Sequence, residues 1–232
     1  MANKYYDILR APHQVAFDIT NNCNLRCLHC FNSSGENDVI SNELSDGEVL
    51  HFIEDLASMN LYNVCFCGGE TLLRKELMCE CIKILKPSGS HCTAVTNGLL
   101  ANPATIQQLA SAGLDGIQFS LDGLRDSHER LRNKVGIFPK VIDAMKYVLN
   151  ETGLRLSIAF TPTSFNVKDF LGVYDLLVDL YEKSNRTTGS DYIDFRLQPL
   201  MLLGRAKDNP NIVPTDAQYR CKLFYGSSVC TR

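Results

Sequence analysis

Three cysteines pose the first chemical question. The run Cys23-Asn-Leu-Arg-Cys27-Leu-His-Cys30 spaces its thiols C-x3-C-x2-C, close enough to converge on one metal centre. Two centres suit such a set. Tetrahedral zinc would take His29 or another cysteine as its fourth ligand. An iron-sulfur cubane normally takes four cysteines, so three would leave one iron open to a ligand that is not protein. The triplet alone leaves these alternatives close. Further on, Cys67-Gly68-Gly69-Glu70-Thr71 pairs two glycines, which remove side chains where backbone must approach a ligand closely, with a carboxylate able to accept from an amine. Thr96-Asn97-Gly98 and Ser120-Leu121-Asp122-Gly123, the latter followed by His128 and Arg132, add two more polar, glycine-bearing segments. Each is also an ordinary turn sequence taken alone.

These segments matter because of where the elements place them. Apolar or β-branched runs over Val15–Thr20, Asn63–Cys67, His91–Thr96, Gly116–Leu121, Leu154–Thr161 and Tyr192–Pro199 read as six strands. Helical periods separate them. Ser45 and Glu48 form a capping-box pair ahead of Val49, Phe52, Ile53 and Leu56. Asn102-Pro103 starts a helix that Gly113 stops. A third runs from Phe138 to Leu149, and Asn166 is placed as the cap of the longest, Phe170 to Tyr181. Alternating strands and helices predict an α/β fold, a partial (β/α)6 TIM-like barrel with a short C-terminal extension. The cysteine triplet and the polar segments then follow consecutive strands, at the end of a parallel sheet where chemistry gathers. Residues 1–203 are assigned to the barrel and 204–232 to the extension.

Composition narrows the function further. In 232 residues, 45% are hydrophobic and 21% charged, the range of an ordinary globular chain. The net charge of -3 offers no basic field for nucleic acid or an acidic membrane surface. No apolar run is long enough to span a bilayer, and Met1 to Arg10 lacks a signal-peptide core. The expectation is a cytoplasmic chain with neither a nucleic-acid nor a membrane partner. In that reducing compartment its ten cysteines are free thiols or metal ligands. Cys65, Cys67 and Cys92 read as small hydrophobes on buried strands, and Cys79 and Cys81 as side chains on different faces of one helix. Cys221 and Cys230 are too few for a second cluster and read as free thiols or the trace of a truncated domain.

Taken in order, the triplet, Gly68-Gly69-Glu70, Thr96-Asn97-Gly98 and Ser120-Leu121-Asp122-Gly123 with His128 and Arg132 resemble the radical S-adenosylmethionine (radical SAM) superfamily. The resemblance covers about Val15 to Arg205, and Gln198 to Ala206 resembles the barrel end of its SPASM/twitch subgroup, often concerned with peptide modification. It departs from the family at Thr71, where proline is usual, and in lacking the full run of C-terminal cysteines. The resemblance implies a [4Fe-4S] cluster on Cys23, Cys27 and Cys30, with S-adenosylmethionine chelating the open iron and cleaved reductively to a 5'-deoxyadenosyl radical that abstracts a substrate hydrogen. By the same resemblance Gly68, Gly69 and Glu70 receive the methionine amine, Ser120 and Arg132 its carboxylate, with Arg130 a rival, and Phe31 lies by the adenine. Asn97 and Asp122 either face the ribose or close their turns. A peptide, or alternatively a small molecule or cofactor precursor, would be the substrate, and a flavodoxin or ferredoxin the electron donor. A non-catalytic iron-sulfur or zinc module is the competing class.

Overall fold

A computed structural model describes residues 12–36, 42–185 and 193–219. Six strands, β1 (Gln14–Thr20), β2 (Asn63–Gly68), β3 (His91–Thr96), β4 (Gly116–Ser120), β5 (Arg155–Phe160) and β6 (Asp194–Leu197), pair in chain order, all in parallel. Between them run α1 (Asp46–Ser58), α2 (Lys75–Leu85), α3 (Pro103–Ala112), α4 (Arg125–Arg132), α5 (Ile137–Glu151) and α6 (Phe170–Glu182). The order runs from β1 to β6 without closing, and residues from all six strands line one cavity, which a flat sheet would not allow. The architecture is therefore the expected open part-barrel. Of the predicted sixth strand, Tyr192 lies outside the described residues, as do Cys221 and Cys230.

Alternation along the strands builds this shape. Val64, Phe66, Ile117, Phe119, Leu156 and Ile158 point outward and are buried beneath Val49, Ile53, Met78, Ile82, Ile106, Val141 and Met145 of the helices. Their neighbours Asp18, Cys65, Cys67, Thr93, Gln118, Ser120 and Ser157 face the hollow instead, a polar interior that leaves space for ligands.

The helix ends follow their local chemistry. Ser45 and Glu48 form the complete capping box of α1, and the Asn102 side chain accepts from the Thr105 N–H at 3.0 Å, with Gly113 left-handed beyond α3. Asn166 differs from expectation. Its side chain caps no helix but ties the strand ends together, accepting from the Thr163 N–H and donating to the carbonyls of Asp122 and Thr161. Among the described residues the longest helix is α5. Cys79 and Cys81 are both buried in α2, and their spacing of two on a helix points them to different faces, as expected.

Phe66 is fully buried between sheet and helices. Phe66→Ala should lower unfolding free energy by about 3–5 kcal/mol in calorimetry, as truncating a packed aromatic does, whereas Val135→Ala, at a side chain 89% exposed, should change it little.

Candidate active site

The cysteine loop leaves β1 through an irregularity. The β1–β2 register shifts between Asp18 and Thr20, bringing Thr20 opposite Gly68. Backbone bonds then clamp the loop root onto the end of β2: the Gly69 N–H donates to the Thr20 carbonyl at 2.8 Å and the Glu70 N–H to the Asn22 carbonyl at 2.9 Å. The contact is close enough to dictate residue type. A Cβ on Gly68, whose φ is +136°, would lie 2.2 Å from the Thr20 oxygen, and one on Gly69 would lie 2.2 Å from the Asn22 oxygen. The glycine pair thus makes room for the chain's own loop on its Cβ side, while its backbone also borders the cavity beside the cysteines.

Cys23, Cys27 and Cys30 line one cavity of about 270 Å³ together with Phe31, Gly68, Gly69, Asn97, Ser120 and Arg132. Its walls come from the carboxyl ends of four strands. Burial pushes the Cys23 and Cys27 thiols up, so a bound metal must supply the driving force for ionising them. Among the described residues, no three His, Cys, Asp or Glu side chains converge as a single metal ion requires. A cubane presents a different iron to each thiolate and needs no common point.

A second layer fixes the loop from behind. Asp122 is completely buried; burial opposes its charge, but Arg132, His29, His128 and the Thr161 N–H hold its carboxyl below the usual range. Arg132 Nη2 lies 2.5 Å from Asp122 Oδ2, and its Nη1 donates to Cys27 Sγ at 3.8 Å. Asp122 Oδ1 accepts from the Thr161 N–H at 2.8 Å, and the Asp122 N–H donates to His128 Nδ1. The C-terminal end of α4 joins in, because the Leu131 carbonyl accepts from the Leu28 N–H at 2.9 Å.

The expected site residues divide accordingly. Phe31, Gly68, Gly69, Asn97, Ser120, Arg132 and the three cysteines border the cavity; Glu70 and Asp122 do not. Glu70 joins β2 to β3 behind the cavity: its carboxylate accepts from the Leu72 N–H, the Thr96 hydroxyl and the Asn97 N–H. The Asp122 carboxylate is paired with Arg132 and accepts from the Thr161 N–H after β5. Asn97 closes its own turn, accepting from the Leu99 N–H, and also donates to Asn24 Oδ1 at 2.8 Å. Arg130 stacks on the Phe165 ring and does not border the cavity, whereas Arg132 does. Thr71 answers for the missing proline, its hydroxyl donating to the Val95 carbonyl at 2.6 Å.

Sequence reasoning missed Arg205. It belongs to the stretch assigned to the extension, yet it donates to the carbonyls of Cys27 and Ser34, while Gly204 fits against the Phe31 carbonyl where a Cβ would lie 2.6 Å away. Gly204-Arg205 is thus part of the site's wall. Its Gly-Arg dipeptide beyond the last strand was the available signal.

The sequence model of the radical SAM superfamily matches residues 17–177. The chain belongs to the radical SAM superfamily. Its members are enzymes that use a [4Fe-4S] cluster and S-adenosylmethionine, and the donor set fits both: three thiols border one cavity, and the buried polar atoms His29 Nδ1, Asn24 Nδ2 and Arg132 Nε have no hydrogen-bond partner among the described residues. Among relatives, Fe-coproporphyrin III synthase of Methanosarcina barkeri is 32% identical over 163 residues, covering 70% of this chain and 40% of that protein. Mycofactocin maturase MftC of Mycolicibacterium smegmatis is 30% identical over 217 residues, covering 91% of this chain and 51% of that one. The chain thus spans about half the length of these relatives. Streptococcus suis SuiB, solved with S-adenosylmethionine, shares the radical SAM part-barrel at a TM-score of 0.64 and 19% identity, over 82% of this chain and 41% of its own.

Two outcomes follow. Gly69→Ala should reduce iron loading on reconstitution severalfold, because its Cβ would push the Asn22 carbonyl and the loop away, while Gly47→Ala, with open space around it, should load normally. Burial, with the Arg132 charge, also pushes His128 down to about 3, whereas an unfolded imidazole titrates near 6.5. Between those values the unfolded chain binds a proton that the folded chain does not. Stability should therefore fall as pH drops below about 6.5, by roughly 1.4 kcal/mol per pH unit for this group. His29, pushed down to about 4 by burial, adds to the fall. His128→Asn should flatten the slope measured by denaturant titration at several pH values.

Proposed function

We propose that Cys23, Cys27 and Cys30 hold the [4Fe-4S] cluster, that Phe31, Gly68, Gly69, Asn97, Ser120 and Arg132 border S-adenosylmethionine, and that the enzyme oxidatively modifies a peptide. The observation that carries this reading is that three thiols and the Gly68-Gly69 backbone share one cavity. When bound, cluster and S-adenosylmethionine together supply a 5'-deoxyadenosyl radical for hydrogen abstraction. The chain's own groups orient and shield. The Gly68 and Gly69 backbone offers polar atoms without side chains in front of them. Arg132, locked by Asp122, keeps Nε free of other partners beside the thiols and suits a carboxylate. Phe31, 54% exposed, offers a ring face to a purine.

The peptide substrate is supported by the match to the maturase MftC over nearly the whole chain and by the fold of SuiB, also solved with its precursor peptide. These also favour the SPASM/twitch-like subgroup. A second reading, a small-molecule substrate, draws on the similarity to Fe-coproporphyrin III synthase. In either, a low-potential donor of the flavodoxin or ferredoxin class supplies the electron.

Anaerobic reconstitution with iron and sulfide, followed by reduction and addition of S-adenosylmethionine, should release 5'-deoxyadenosine; none from cluster-loaded protein would refute the proposal. Release stimulated by a precursor peptide and not by an iron tetrapyrrole precursor of the kind such a synthase converts supports the first substrate, and the opposite result the second. Arg132→Gln alone would strand the buried Asp122 charge, so it should be paired with Asp122→Asn. The double variant should fold and load iron, yet bind S-adenosylmethionine about tenfold to a hundredfold more weakly by calorimetry, as losing a charge-assisted contact implies. Arg130→Ala should bind normally.

A further inference from the structure

Cys65 and Cys67 do not behave as the hydrophobes expected of a buried strand. Both lie on the polar, hollow face of β2, both are only partly buried, and their sulfurs are 3.5 Å apart. They occupy different spaces. Cys67 borders the cavity of the cysteine triplet, whereas Cys65 borders a second cavity of about 260 Å³ at the opposite end of the hollow, beside Thr93, Ser157 and Arg196. Val95 and Gln118 line both. A reagent can therefore meet Cys65 without entering the space between Cys23, Cys27 and Cys30.

From this juxtaposition we propose that Cys65 and Cys67 form a redox-active dithiol, a second reaction site in the hollow whose oxidant is a small-molecule disulfide. The thiolate form of Cys65 is favoured chiefly by the hydrogen bond from Cys67, helped by Thr93 and Arg196 against burial and Asp18. Cys65 thiolate attacks one sulfur of the disulfide, forming a mixed disulfide and expelling a thiolate. The Cys67 thiol passes its proton to that leaving thiolate and its sulfur attacks Cys65 Sγ, closing the Cys65–Cys67 bond and expelling the second thiolate, which takes a proton from water. The reagent gains the two electrons that the pair loses. Residues two apart on a strand have Cα atoms about 6.6 Å apart and side chains that stand parallel, so closing the bond requires β2 to bend locally and draw the two Cβ atoms together, and the closed form is strained and easily reduced.

The test uses cluster-loaded protein, in which the triplet is occupied, exposed anaerobically to glutathione disulfide and then alkylated. Cleavage after Glu54 and Glu70 isolates a peptide whose only cysteines are Cys65 and Cys67. In the wild type this peptide should lose the mass of two hydrogens, resist alkylation and regain both thiols with dithiothreitol. Cys67→Ser should instead retain glutathione on Cys65, and Cys65→Ser should react at least about tenfold more slowly, having lost the favoured attacking thiolate. Two alkylated thiols in the wild type, or a lasting glutathione adduct there, would overturn the proposal. The readout is independent of S-adenosylmethionine turnover, so this site and the proposed radical chemistry fail separately.

Discussion

A carboxylate with no access to water must have its charge answered from inside the protein, and Asp122 lies at the centre of this one. Burying such a charge costs several kcal/mol unless it is paired and hydrogen-bonded. Arg132 supplies the opposite charge and the Thr161 N–H a bond, while Asn166 holds the Asp122 carbonyl. These demands bring together the ends of β4 and β5, the last turn of α4 and, through the contact of Arg132 with Cys27, the cysteine loop. Removing either member of the pair would leave the other unanswered, which is why the pair specifies geometry more than it adds net stability.

The opposite side of the loop is held by backbone. Gly68 and Gly69 permit Thr20 and Asn22 to lie against β2, and Gly204 permits the segment after β6 to lie against Phe31. Three places without side chains thus let two distant pieces of chain grip one loop. Glu70 connects this grip to β3 through Thr96 and Asn97, so the cavity's floor is continuous from β1 to β5. Burial raises Cys23 and Cys27, so ionising them requires a compensating interaction such as a bound metal.

Periodicity made the barrel legible. Short runs such as Gly116–Ser120 alternate and long ones such as Ile137–Glu151 repeat, and the caps at Ser45 and Asn102 are local chemistry. The cysteine loop was legible for the same reason, its ligands being close in sequence. Roles that depend on distant partners were not. Nothing local shows that Glu70 accepts from Thr96 and Asn97, and Asn166 resembles a helix cap until Asp122 and Thr161 are brought beside it. Cys65 was misread because alternation says which residues share a face, but burial of that face depends on the curvature of the whole sheet.

The central claim is that three cysteines on one cavity hold a cluster with one iron left open for S-adenosylmethionine. Electron paramagnetic resonance of the reduced, reconstituted protein tests it most directly. The account predicts a [4Fe-4S] signal that changes when S-adenosylmethionine is added and that is lost in Cys27→Ala. A spectrum indifferent to S-adenosylmethionine, or one that survives replacement of all three cysteines, would contradict it.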